Sequence, residues 1–207
     1  MRLFILGATG RTGAQLVQLG LERGHELTAF VRSPDKIPKP PPGLHVVAGD
    51  PLDPLQLEAA MPGHAAVLSA LGPSVREAFR PSTLLTRAAT STVTGMLRAE
   101  VRRLVVTSAA VLFPEPGLYF AFFRWLLRQH ARDLMAMERV VRESDLAWTI
   151  ARPPRLIHSG DAHYASQRDG MPGRSRVLSF RAVAAFMLDC IEQDTDTRAI
   201  VGLSRGA

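Results

Sequence analysis

Cysteine, lysine and tyrosine are scarce in this chain, and each scarcity closes off some chemistry. Cys190 is the only cysteine. No internal disulfide can form, a disulfide-framed secreted fold is excluded, and a cytoplasmic setting is the expectation. The only lysines are Lys36 and Lys39, so the net charge of +6 rests on arginine. Those arginines are spread along the chain, with no basic tail and no recognition-helix signature. A nucleic-acid partner is not expected, and anionic small ligands account for the balance. No apolar run reaches membrane-spanning length, and no signal peptide is seen ahead of the first predicted strand. The six histidines are scattered. His130 falls in a helical stretch and His158 and His163 in a loop, without ligand spacing, so no metal site is expected. Of the two tyrosines, Tyr119 is followed four residues on by Phe123, and no lysine follows Lys39. A tyrosine acid activated by a neighbouring lysine is therefore absent.

What is present is a strand followed by a glycine turn. The 207 residues, 46% of them apolar, suffice for one α/β domain with a full core. Residues 2–6 are a short apolar run. They lead into Gly7-Ala8-Thr9-Gly10-Arg11-Thr12-Gly13, and a helical pattern begins with Ala14, Leu16, Val17, Leu19 and Leu21. In that order they form the first half of a dinucleotide-binding βαβ unit. Gly7 allows the sharp turn, Gly10 lets the backbone approach a pyrophosphate, and Gly13 lets the helix pack on the sheet. Free N–H groups at the helix start favour phosphate. The spacing is G-x-x-G-x-x-G rather than G-x-G-x-x-G. An ordinary tight turn has the same glycines, and it is the strand before and the helix after that favour a nucleotide.

The alternation continues downstream. Strands are expected at 26–31, 44–48, 65–70, 103–107, 147–151, 176–178 and 198–202. Helices are expected to about Arg23, from Asp53-Pro54 to Pro62-Gly63, from Pro81-Ser82 to Ala99, over roughly 118–143, and over 180–192. The proline-rich residues 38–43 read as a surface connector, and 156–175 as loop. Strands separated by helices imply a single doubly wound domain, 1–207, with a mostly parallel sheet. Ligands of such sheets sit at the carboxyl ends of the strands. The expected coenzyme site is therefore Gly7, Thr9, Gly10, Arg11, Thr12, Gly13, Arg32, Lys36, Asp50, Pro51, Leu71, Gly72, Thr107, Ser108 and Pro153. NAD-specific sites end strand two with Asp or Glu. Here Val31 gives way to Arg32, whose fork matches a 2′-phosphate, with Arg11 and Lys36 adding charge. The coenzyme expected is NADP(H).

Gly-Ala-Thr-Gly-Arg-Thr-Gly, Val31-Arg32, Gly49-Asp50, Val106-Thr107-Ser108-Ala109, Arg142-Glu143-Ser144 and Pro153-Pro154 stand in the order of the atypical short-chain dehydrogenase/reductases. The chain resembles most the biliverdin reductase B, or NADPH flavin reductase, group, and Ser175-Arg176-Val177-Leu178-Ser179 with Phe186-Met187-Leu188 is similar to it too. The resemblance implies a Rossmann fold, NADPH, and hydride transfer to flavins or linear tetrapyrroles. FMN or FAD would then be a substrate rather than a prosthetic group. It places Ser108 beside the nicotinamide as the catalytic hydroxyl. Conventional members use a Tyr-x-x-x-Lys pair, which is missing here. The resembling group has a histidine after its paired prolines, where this chain has Arg155. Arginine is a poor proton donor and a good holder of anionic groups. The role of Arg76, in a longer stretch after Gly72, is open.

The expected wall for a small-molecule acceptor is 113–125, with Phe113, Tyr119, Phe120, Phe122, Phe123 and Trp125. Flat conjugated ligands stack on such rings, although core packing, a dimer face or a lipid-contacting surface would use them too. Whether the chain is a monomer or a dimer stays open. Two function classes remain: an NADPH-dependent reductase of a flavin, tetrapyrrole or quinone-like acceptor, and a non-catalytic NADP(H) sensor of the NmrA-like kind.

Overall fold

A computed structural model describes residues 1–72, 82–113, 128–173 and 175–206. The chain opens with β1 (Arg2–Leu6), α1 (Arg11–Glu22), β2 (Glu26–Val31) and β3 (Leu44–Ala48). There follow α2 (Pro54–Ala60), β4 (Ala66–Ser69), α3 (Leu84–Arg98), β5 (Arg103–Thr107) and α4 (Arg128–Arg142). Then come β6 (Ala147–Arg152), β7 (Arg155–Ile157), β8 (Tyr164–Arg168), β9 (Val177–Ser179), α5 (Phe180–Glu192) and β10 (Ala199–Arg205). Each expected strand up to β6 appears within a residue of its place. The expected helix over 118–143 is seen from Arg128, and 114–127 lie outside the described residues.

Eight strands form one sheet in the order β3-β2-β1-β4-β5-β6-β10-β8. All neighbours are parallel except β8, which runs antiparallel to β10 with Leu203 opposite Ser166. This is the doubly wound order, with its reversal at β1 between β2 and β4. Two expectations need correction. The strand expected at 176–178 is β9, and it stays out of the main sheet, pairing with β7 so that Arg155 faces Val177. The stretch read as loop from 156 to 175 contains most of β7 and all of β8. Tyr-Ala-Ser-Gln-Arg has no apolar alternation because β8 is an exposed edge strand, defined by its pairing alone.

The central strands are buried on both faces, so their apolar residues divide by parity. Leu3 and Ile5 of β1 face a layer made with α1 and α5, through Leu16, Leu19, Val183 and Phe186. Phe4 and Leu6 face α2, α3 and α4, through Leu57, Leu85, Met96, Met137 and Val141.

Local chemistry fixes the helix ends. Gly24, at φ +75°, turns the chain out of α1. Asp53 caps α2 by accepting from Leu55 N and Gln56 N, with Pro54 at the first position. The Thr83 side chain makes no cap for α3. Its N-terminus is held from α4 instead: the buried Asp133 carboxylate accepts from Leu85 N and Thr86 N at 3.0 Å each, and from the Thr86 hydroxyl at 2.6 Å. At the amino ends of the central strands the buried Arg103 guanidinium donates to Ala147 O at 3.0 Å and Thr149 Oγ1 at 2.8 Å. It also reaches Cys190 O at 3.1 Å and Thr195 O at 2.8 Å. It thus joins β5 to β6 and to the last turn of α5, where a cation complements the helix dipole.

Candidate functional site

The glycine turn after β1 is built as its sequence requires. Gly7 has φ +81°, and a Cβ there would lie 2.7 Å from Ala70 O at the exit of β4. A Cβ on Gly13 would overlap the Gly7 carbonyl, so α1 can sit this close only with glycine. A Cβ on Gly10 would meet only Gly7 O, at 3.2 Å. Gly10 is exposed, is the N-cap of α1 without a side-chain cap, and leads into a first turn with no acid. Ala14 is the first amide bonded into the helix, on Gly10 O at 2.8 Å. The amides of Arg11, Thr12 and Gly13 precede that ladder, beside exposed Thr9. This arrangement fits a diphosphate. The Arg11 guanidinium lies 4.9 Å from the centre of the Phe180 ring, which also packs on His158.

On one side of β1 lie the exits of β2 and β3. Arg32 is exposed directly after β2, and Lys36 is exposed at the close of a 3₁₀ turn, Pro34–Lys36. Among the described residues neither has an ion-pair partner. Asp50 is exposed after β3, and its carboxylate shapes the loop by accepting from Leu52 N at 3.0 Å. Pro51 is buried beside it. Gly49 is a requirement the sequence reading missed: a Cβ there would run into the Phe30 ring. On the other side, at the exit of β4, Leu71 is half-buried, and Gly72 is exposed with no neighbour near its missing Cβ.

The exit of β5 carries a cluster that the sequence did not announce. Ser108 N donates to Ala151 O at 2.7 Å and Ala110 N to Pro153 O at 2.9 Å, so the loop is fastened to the exit of β6. The Ser108 hydroxyl donates to Glu138 Oε1 at 2.6 Å. Glu138, 3% exposed, receives both arms of Arg152, Nε on Oε1 at 2.9 Å and Nη2 on Oε2 at 2.6 Å. The Arg152 guanidinium stacks 4.6 Å from the centre of the Phe113 ring. One signal pointed to Glu138: it falls on the apolar stripe of α4 formed by Leu134, Met137 and Val141. A charge on that stripe needs a buried partner.

Phe113 is 4% exposed and lies against Arg152, so it forms part of the packing and not an open acceptor wall. Arg76, Tyr119, Phe120, Phe122, Phe123 and Trp125 lie outside the described residues. Arg155 is exposed at the start of β7. Thr107 Oγ1 turns toward Ser69 O at 3.4 Å. Beneath it lies a cavity of about 20 Å³, lined by Ser69, Thr92, Thr107 and apolar side chains. That is room for a water and not for a ligand. Among the described residues there is no group of side chains that could hold a metal, and no helix long and apolar enough to cross a membrane.

Solved structures share this architecture. A short-chain dehydrogenase/reductase from Veillonella parvula DSM 2008 superposes with a TM-score of 0.85 at 22% identity, over 100% of this chain and 94% of that one. Another from the same organism, solved in complex with NADP, gives 0.82 at 21% identity, over 100% and 95%. A Rossmann-fold NAD(P)-binding family protein from Shigella flexneri gives 0.73 at 25% identity, over 100% and 96%. Among curated proteins, the chloroplastic divinyl chlorophyllide a 8-vinyl-reductase of Zea mays is 27% identical over 219 residues, covering 96% of this chain. The chain spans about half of that relative's length, 53%. The profile of the NAD(P)H-binding family matches residues 7–194, from the first glycine of the turn to just past α5, and the chain belongs to that family.

Proposed function

We propose that the chain is an NADP(H)-dependent reductase that delivers hydride to a planar conjugated acceptor: a flavin, a linear tetrapyrrole or a quinone-like compound. Arg32 carries the coenzyme half of this reading. It is exposed at the exit of β2, where an NAD site would have an acid, and among the described residues no ion pair engages its fork, which suits a 2′-phosphate. Lys36 adds a second cation. The Gly7–Gly13 turn and the first amides of α1 hold the diphosphate. Asp50 and Pro51 flank the adenosine side, and Leu71, Gly72, Thr107, Ser108 and Pro153 the nicotinamide side. The name of the maize relative, a reductase, and the NADP complex of one Veillonella protein support the assignment.

Bound NADPH supplies the hydride. The chain supplies position, and a planar acceptor that takes hydride directly needs little acid catalysis from the protein. That agrees with the missing Tyr-x-x-x-Lys pair. Arg155, exposed beyond the paired prolines, is assigned to an anionic group of the acceptor such as a propionate or a flavin phosphate. FMN or FAD is read as a passing substrate.

The test is loss of NADPH absorbance with the purified chain and a panel of FMN, FAD, biliverdin and a small quinone. At least one acceptor should drive oxidation. Tight NADPH binding, seen by fluorescence, with no oxidation by any of them would replace the reductase with an NADP(H) sensor.

A further inference from the structure

We propose that Ser108 is a fixed hydrogen-bond acceptor that receives an N–H of the nicotinamide carboxamide, and that Glu138 is the positioning residue that sets this polarity. The proposal rests on the NADP(H) reading above. A serine hydroxyl has one proton and two lone pairs, whereas a carboxylate only accepts. The 2.6 Å contact from Ser108 Oγ to Glu138 Oε1 therefore uses the one proton Ser108 has. The remainder of the hydroxyl is lone pairs. Glu138 is held in this role by both arms of Arg152, which has donors only, and the face of that guanidinium is covered by Phe113. The backbone cannot swing Ser108 away, because Ser108 N and Ala110 N are both bonded to the exit of β6.

The sheet order says what lies above Ser108. The diphosphate turn is at the exit of β1 and the 2′-phosphate side at that of β2. The second half of a dinucleotide then extends the other way, over β4 and β5, and Ser108 follows β5. On a reduced nicotinamide ring, the carboxamide N–H₂ is the hydrogen-bond donor. It follows that Ser108 has no proton to give the acceptor, and that the proton accompanying the hydride comes from solvent.

A coenzyme analogue separates acceptor from donor. Reduced 3-acetylpyridine adenine dinucleotide phosphate keeps the carbonyl of NADPH and lacks its N–H₂. In fluorescence titrations the wild-type chain should bind NADPH about three- to tenfold more tightly than the analogue, the value of one neutral hydrogen bond. Ser108→Ala leaves the Glu138–Arg152 pair in place, and should abolish the preference while still binding both ligands. In Glu138→Gln the new amide can donate to Ser108 and release its proton, so the preference should fall or invert. A purely structural role for Glu138 would weaken both ligands equally and leave the ratio as in wild type. If Glu138→Gln does not fold, the Ser108→Ala ratio decides by itself. An unchanged ratio in Ser108→Ala, with NADPH still bound, overturns the polarity and leaves the nucleotide site standing. If the wild-type chain binds neither ligand, both readings fall.

Discussion

One charge-assisted hydrogen bond from a guanidinium to a 2′-phosphate is worth ~1.5–3 kcal/mol, so Arg32 alone should favour NADPH over NADH by roughly ten- to a hundredfold. Arg32→Ala should bring the two dissociation constants together. The assignment fails if wild type binds NADH equally well, or if the variant keeps the original ratio. The glycines of the turn separate binding from folding within a few residues. Gly10→Val places a branched side chain on the exposed side of the turn. It should abolish NADPH binding at a stability cost of about 1–2 kcal/mol, the scale of a poor N-cap. Gly13→Ala drives a methyl into the Gly7 carbonyl and should lower the melting temperature further than Gly10→Val does. Normal NADPH titration by Gly10→Val would remove the turn from the coenzyme site. The same turn was legible in the sequence, because its strand and helix stand beside it. The Ser108–Glu138–Arg152 cluster was not, because residues 108, 138 and 152 meet only when β5, α4 and β6 pack.

At the scale of elements, α3 depends on a neighbour for its first turn. Asp133→Ala would strip acceptors from two backbone amides and the Thr86 hydroxyl. The cost should be about 2–4 kcal/mol, combining a lost cap with donors left unsatisfied. Asp133→Asn keeps an accepting oxygen and should cost less than half as much in urea melts. Equal losses for the two would mean that the charge, and not the hydrogen bonds, holds α3. The order of elements was readable because each central strand is an apolar run closed by a turn residue. β8 was not, since an exposed edge strand has no periodicity of its own. Nor was the pairing of β9 with β7, because strand pairing is a long-range property that neither three-residue segment contains.

Across the whole molecule, acid sensitivity should come first from buried imidazole. His64 lies under the sheet, with Nδ1 bonded to Met61 O and Nε2 to the Thr28 hydroxyl, each at 2.8 Å. Burial pushes its pKa below the usual histidine value, and burial does the same to His130. A histidine harder to protonate when folded contributes stability above the unfolded pKa of about 6.5, and that stability is lost as pH falls below it. The melting temperature should therefore drop between pH 7.5 and 5.5 (about one unit either side of that value), with the slope flattened in His64→Gln. A slope identical in the variant would exclude His64 as a contributor. Arg103 has a consequence of another kind, for the order of events in folding. Its guanidinium donates to residues 147 and 149 on β6 and to residues 190 and 195 at the end of α5, two segments distant from it in sequence. Until both have docked, the charge is better solvated by water, so its bonds are expected to close after the folding barrier is crossed. Arg103→Met should leave the refolding limb of a chevron almost unmoved and raise the unfolding rate severalfold. The side chain would then be a late latch, governing how long the folded chain survives and not how fast it forms.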